Sequence, residues 1–172
     1  TGSRGGGLAL MRHAAERRVP IPVYAEMSSV NPVTLLPARL AEAPEDLARA
    51  YVGSLSMGAG QFCTNPGIAV VAKGAAGDAF VKSAAAALQD VAPQTMLTDG
   101  IAKAYRDGRD RVAASKGVQE VLTSTCDRRN ATPYLYETDG TTWLENEELG
   151  EEVFGDIKNA LFGIAAVSHS VV

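Results

Sequence analysis

The run Ile68-Ala69-Val70-Val71-Ala72 constrains the fold more than any other stretch of the chain. It stands between an Asn65-Pro66-Gly67 turn and the glycines Gly74 and Gly77. A short apolar run bounded by turn formers on both sides reads as a buried strand. Helical patterns flank it. From about Glu42 to Ser56, Leu47, Ala50, Tyr51 and Leu55 recur at helical spacing, and Pro44-Glu45-Asp46 puts acidic residues in the first turn, where the dipole favours them. Beyond the strand, an Ala-rich helix runs from Asp78 to about Val91 and closes at Pro93.

The rest of the chain continues the alternation. A helix over Leu8 to Arg18 ends at Pro20-Ile21-Pro22, and Val23-Tyr24-Ala25 follows as a short strand. Val33-Thr34-Leu35-Leu36 is an apolar run stopped by Pro37. Gly100 to about Ser115 is a helix with Ile101, Ala104, Tyr105 and Val112 on one face. Glu120 to Thr125 and Pro133 to Thr138 are strands, the second followed by an Asp139-Gly140 turn and the acidic segment Glu145 to Glu152. Helices alternating with short buried strands argue for an α/β layered fold. There is no internal repeat and no long linker.

Composition removes several function classes. The 172 residues suffice for one domain with a sizeable core. A net charge of −4 argues against a general nucleic-acid surface, and Arg106, Arg109 and Arg111 read as the solvated face of a helix. No apolar run approaches the roughly eighteen residues of a membrane span, and Thr1 to Gly7 lacks the basic-then-apolar order of a signal peptide. Two cysteines make no disulfide framework, so the expected compartment is the cytoplasm. The histidines His13 and His169 stand near no cysteine cluster, and no metal site is expected.

One cysteine has the setting of a nucleophile. Cys63 lies in Gly60-Gln61-Phe62-Cys63-Thr64-Asn65-Pro66-Gly67, after Met57-Gly58-Ala59-Gly60. Small residues leave room for a substrate to reach the sulfur, and Asn-Pro-Gly forces a loop between a helix and the buried strand. The competing reading is a buried structural thiol. A carboxylate, Glu26, stands 37 positions earlier in Ala25-Glu26-Met27-Ser28-Ser29-Val30-Asn31-Pro32. It is either a base for water or a strand-end carboxylate in solvent. The glycine-rich start, Thr1 to Gly7, runs into a helix whose N-terminus suits an anion; a flexible terminus competes with that reading.

Together these stretches resemble the aldehyde dehydrogenase superfamily. Gly60-Gln61-Phe62-Cys63 is similar to its nucleophile motif. Ala25 to Pro32 is similar to its glutamate motif, with Met-Ser-Ser where many members have Leu-Gly-Gly. Thr1-Gly2-Ser3 followed by Gly7 is similar to its Gly-Ser loop, and Glu151-Glu152-Val153-Phe154-Gly155 to its Glu-Glu-aliphatic-Phe-Gly-Pro signature. The glutamate variant and Phe-Cys-Thr-Asn-Pro-Gly most resemble the 2-oxoglutarate semialdehyde (2,5-dioxopentanoate) dehydrogenase branch.

The resemblance implies a three-layer αβα catalytic domain, truncated at both ends: 1–19 closing a dinucleotide-binding domain, 20–155 the catalytic domain, 156–172 an atypical tail in which Asp156 replaces the usual Pro. It implies oxidation of an aldehyde, such as a small semialdehyde, with NAD or NADP, in a parent that is a homo-oligomer. Cys63 forms a thiohemiacetal and then a thioester, with its own N–H as one oxyanion donor; the family's second donor, an Asn earlier in the sequence, is not in this chain. Glu26 activates the hydrolytic water. Gly2 and Ser3 meet the cofactor pyrophosphate, Glu152 the nicotinamide ribose and Phe154 the nicotinamide. For Ser3, Glu152 and Phe154 the plain alternatives are a helix N-cap, a solvated acidic turn and a core aromatic. A catalytically silent association module and a cofactor-free thiol esterase are the rival functions.

Overall fold

A computed structural model describes residues 4–25, 27, 31–146 and 149, and the backbone of 165–169. The elements in order are α1 (Arg4–Ala15), β1 (Val33–Leu35), α2 (Pro37–Glu42), α3 (Pro44–Ser56), β2 (Ile68–Ala72), α4 (Ala75–Gln89), β3 (Gln94–Thr95), α5 (Asp99–Ala114), β4 (Val118–Leu122), β5 (Cys126–Asp127), β6 (Asn130–Ala131), β7 (Leu135–Asp139), α6 (Gly140–Glu145) and β8 (Ala165–His169). Five strands form one sheet in the order β1-β2-β8-β7-β4, and β3, β6 and β5 form a small second sheet. β1, β2, β8 and β7 are mutually parallel; β4 pairs antiparallel with β7.

The apolar run of β2 is buried on both faces, because successive side chains of a strand point to opposite sides. Ala69 and Val71, with Leu135 of β7, pack against Leu40 of α2, Tyr51, Val52 and Leu55 of α3, and Phe80, Ala84 and Leu88 of α4. Ile68 and Val70 face the other way, into a cluster with Ala102, Tyr105 and Val112 of α5 and with Tyr134 and Tyr136. Helices therefore cover both faces of the sheet, and the three-layer α/β architecture is present. The backbone of 165–169, in the stretch set apart as a tail, runs as β8 in the centre of the sheet, with Ile68 opposite Ala165 and Ala72 opposite His169.

Several local expectations change. The helix expected from about Glu42 to Ser56 is α3, opening at Pro44, and a further helix, α2, precedes it: Pro37 and Pro44 each stand in a first turn, and Ala43 between them leaves helical geometry at φ −155° and ψ 64°. A proline ring suits the first helical turn, so Pro37 starts a helix instead of only ending a strand. Residues 23–25 form no strand: Pro20 and Pro22 just before them lack N–H donors, and Tyr24 is exposed. In α3, Ala48 is buried and Ala50 exposed, because the 100° step per residue aligns Ala48 with Tyr51, Val52 and Leu55. In α5 the buried stripe is Ala102, Tyr105, Gly108 and Val112, with Ile101 and Ala104 on its flanks.

Caps set two further boundaries. The Thr98 hydroxyl accepts the Ile101 N–H at 3.1 Å, so α5 opens just before Gly100. Asp139 accepts the N–H groups of Thr141 and Thr142, which turns the expected Asp-Gly turn into the start of α6. These bonds hold the Asp139 carboxyl below the usual carboxylate range, the backbone N–H of Thr142 contributing most.

The arginines of α5 are not a solvated face. Arg106, Arg109 and Arg111 are all partly buried. Arg109 Nη1 donates to the Ser124 carbonyl at 2.9 Å, and Arg106 Nη1 to the Arg128 carbonyl at 3.0 Å. They tie the helix to the 124–129 segment, where their stems are covered and their guanidinium groups meet carbonyls that helix periodicity alone does not reveal. Among the described residues no helix is long and apolar enough to cross a membrane.

Candidate active site

Cys63 sits on the connection between α3 and β2. α3 ends at Ser56, and the next residues turn with the wrong hand for a helix: Gly58, Ala59 and Gly60 have φ of 59°, 57° and 67°. Glycine takes this conformation freely, while for alanine it is strained. At Gly58 the absence of a side chain also matters, since a Cβ there would lie 2.6 Å from Cε2 of Phe62. Two glutamines hold the turn. Gln94 Oε1 accepts the Ala59 N–H at 2.7 Å. Gln61 accepts the Leu97 N–H at 2.9 Å and donates through Nε2 to the Gly58 carbonyl at 3.0 Å.

The next four residues close a second turn. The Asn65 N–H donates to the Phe62 carbonyl at 3.0 Å, across Cys63 and Thr64. Asn65 is buried, and its Nδ2 donates to the Leu55 carbonyl at 2.7 Å, fastening the turn to the end of α3. The buried Tyr51 hydroxyl donates to the Pro66 carbonyl. Cys63 itself is exposed at the outside of this anchored turn, and no disulfide joins it to Cys126. A thiol carried on a rigid, accessible turn is reachable by an external electrophile. Phe62, Met57 and Leu97, all more than half exposed, supply apolar surface nearby in the chain and its hydrogen-bonded neighbour.

Asn31 brings the glutamate-bearing stretch to this turn. Its Nδ2 donates to the Cys63 carbonyl at 2.7 Å and to the Asn65 carbonyl at 3.1 Å. Asn31 itself is left-handed at φ 44°, which asparagine tolerates better than most residues. Met27, next after Glu26 in the chain, packs on α1: a Cβ on Gly7 would fall 2.1 Å from the Met27 sulfur. Two described residues that follow Glu26 thus reach different elements: Met27 the glycine-rich helix and Asn31 the cysteine turn.

Glu26, Gly2, Ser3, Glu152 and Phe154 lie outside the described residues. Among the described residues no group of His, Cys, Asp and Glu has the makings of a metal centre. A cleft of ≈ 240 Å³ lies elsewhere, at the opposite end of β2, lined by Lys73, Asp78, Gln119, Glu137 and Asp139 among others. It does not reach Cys63. Asn31, Gln61, Gln94, Asn65 and Tyr51 support the cysteine turn; the sequence marks Asn65 as a turn former and Tyr51 as a core residue, and none of the five as a support of Cys63. Asn31 and Asn65 each precede a proline, a local signal for a structured turn. Nothing local marks Gln94, 35 residues from its partner.

The chain is 46% identical over 157 residues to alpha-ketoglutaric semialdehyde dehydrogenase 2 of Azospirillum brasilense, covering 90% of this chain and 30% of that protein. Its fold is similar to that of a NAD-dependent benzaldehyde dehydrogenase from Corynebacterium glutamicum, with a TM-score of 0.74 at 15% identity over 98% of this chain and 36% of the other. It is similar also to glyceraldehyde-3-phosphate dehydrogenase GapN from Methanocaldococcus jannaschii, solved with NADP, with a TM-score of 0.67 at 18% identity over 98% of this chain and 35% of the other. No family model matches. The chain spans about 30% of the length of the curated relatives it matches. The likeness first carried by the cysteine and glutamate stretches extends along nine-tenths of the sequence and through the layered fold, and the chain belongs to the aldehyde dehydrogenase superfamily.

Proposed function

We propose that Cys63 is the nucleophile of an NAD- or NADP-dependent aldehyde dehydrogenase whose substrate is a small semialdehyde such as 2-oxoglutarate semialdehyde. The observation that carries this reading is the exposed Cys63 on a turn whose carbonyl is held by Asn31, five residues after Glu26 in the same stretch. The semialdehyde follows from the relative in Azospirillum brasilense.

The chemistry runs through Cys63. Its thiolate adds to the aldehyde carbon, a C–S bond forms, and the carbonyl π pair moves to oxygen. The Cys63 N–H is one donor to that oxyanion. When bound, the nicotinamide cofactor supplies the acceptor for the hydride that the thiohemiacetal carbon gives up. A thioester then remains on Cys63. Glu26 takes a proton from water as the water attacks this thioester, the thiolate leaves, and the acid is released. The start of α1 fits an anionic cofactor group: its first turn has no acidic residue, and a Cβ on Gly5 would meet nothing within 4 Å. Gly2 and Ser3, just ahead of it, would hold the pyrophosphate. Glu152 would bind the ribose hydroxyls and Phe154 would pack beside the nicotinamide.

The test adds aldehyde with NAD or NADP, and separately an activated ester, to the chain and to Cys63→Ala. Reduction of the nicotinamide that disappears in Cys63→Ala is the expected result. Reduction surviving in Cys63→Ala removes the nucleophile assignment. Ester turnover without reduction assigns the chain a cofactor-free thiol activity, and silence of a folded sample leaves it an association module.

A further inference from the structure

Both peptide planes around Cys63 are anchored, each by a different part of the chain. The plane before it is held by its carbonyl: Phe62 O accepts the Asn65 N–H at 3.0 Å. In a trans peptide the N–H points opposite to the carbonyl, so this bond also sets the direction of the Cys63 N–H. The plane after it is held by Asn31, whose Nδ2 donates to the Cys63 carbonyl at 2.7 Å. The same nitrogen donates to the Asn65 carbonyl at 3.1 Å, across the open side of the turn.

From this geometry we infer that Asn31 is a positioning residue: it clamps the 62–65 turn so that the Cys63 N–H points where an oxyanion forms. The inference rests on Cys63 being the nucleophile. Asn31 touches no reacting atom. It acts through the two carbonyls, and through them it ties the stretch carrying Glu26 to the sulfur. An amide suits the task because one NH2 group can donate to two carbonyls at once. A carboxylate of the same shape has no hydrogen to donate and would face two carbonyl oxygens with a negative charge.

The reagents that test this differ in one respect, the oxyanion. With p-nitrophenyl acetate, the Cys63 thiolate adds to the ester carbon, oxygen takes the π pair, and collapse expels p-nitrophenolate to leave an acetyl thioester. With iodoacetamide, the sulfur displaces iodide directly and no oxyanion arises. The variants are Asn31→Gly, which keeps a left-handed backbone without strain, and Asn31→Asp, which keeps the shape without the donors. The 172-residue chain is used, alkylation at Cys63 and Cys126 is followed by mass spectrometry, and fold is followed by thermal melting.

The expected result is a burst of p-nitrophenolate slowed about tenfold in both variants, with alkylation of Cys63 within about twofold of the parent chain. That is part of the roughly hundred- to thousandfold lost when an oxyanion donor is removed outright. Equal changes with both reagents, or no change in the burst, overturn the inference, because a merely structural role moves the two together. Loss of fold in both variants overturns it as well, since the clamp then serves stability. A burst that persists in Cys63→Ala overturns the nucleophile assignment and is distinguishable from all of these.

Discussion

The backbone N–H of Ala59 donates to Oε1 of Gln94 at 2.7 Å, across 35 residues of sequence. Ala59 is buried in the left-handed turn that precedes Cys63, where no helical carbonyl can receive its N–H. Gln94→Ala leaves that donor without its partner. The expected cost is about 1–3 kcal/mol, the penalty for a buried polar group left unsatisfied. Urea titration of the two chains measures it, with an unchanged slope and a lower midpoint.

At Ala59 three terms compete. Left-handed alanine costs roughly 1–2 kcal/mol, which glycine relieves. Glycine loses about 0.4–1 kcal/mol through the unfolded chain and about 0.8 kcal/mol for one buried methyl. Ala59→Gly is therefore expected within about 1 kcal/mol of the parent. Ala59→Val puts a branched side chain at φ 57° in a filled cluster, and is expected to lose more than about 2 kcal/mol. Melting of both variants checks the pair; a Val variant as stable as the Gly variant would remove the left-handed assignment.

Tyr51 links α3 to the loop after Cys63. Its hydroxyl donates to the Pro66 carbonyl, and its ring meets Phe80 edge-on at 6.0 Å. Tyr51→Phe keeps the ring and removes the donor. An expected loss of about 1–2 kcal/mol follows from the carbonyl left behind. Amide exchange at Gly67 and Ile68 should quicken in the variant, since the loop end is what the hydroxyl holds.

Alkali should unfold the α5 side of the sheet through its tyrosines. Tyr136 donates its hydroxyl to the Arg109 carbonyl at 3.0 Å. Burial, with the charge of Glu120 second, pushes its pKa up to about 12 from 10.0. Tyr51, Tyr105 and Tyr134 are also raised, each by burial first. The fold thus favours the protonated phenol. That contribution is fully present below 10.0 and is lost as pH rises through about 12. Stability of the parent chain is expected to fall over this window more steeply than that of Tyr136→Phe, which lacks the titrating group. Phenolate absorbance and circular dichroism, followed together, report it.

The cysteine turn was legible because its causes are local. Gly58 and Gly60 permit the reversed hand, and Pro66-Gly67 forces the exit into the apolar run of β2. α4 begins and ends within three residues of where Gly74, Gly77 and Pro93 put it. The resemblance to the superfamily is carried by four motifs that the sequence alone displays. Ala50, expected on the buried stripe, is exposed because apolar spacing leaves the phase of a helix open by one residue, and only packing against β2 and α4 fixes it. Arg106 and Arg109 of α5 read as a solvated face in sequence because their acceptors, the carbonyls of Arg128 and Ser124, lie outside the helix.

The sequence by itself determined the turns, the buried run and the identity of the nucleophile candidate, because these depend on the stereochemistry of residues a few positions apart. Only the tertiary structure decided what holds Cys63 in place. Asn31, Gln94 and Leu97 reach the 58–65 segment from 32 to 36 residues away. Asn31 meets it because β1 pairs with β2 in parallel, which brings the start of β1, just after Asn31, to the same end of the sheet as the turn before β2, while Gln94 and Leu97 come from β3 of the small second sheet and the residues just after it. That meeting is a property of sheet order and packing, and no local pattern in the chain encodes it.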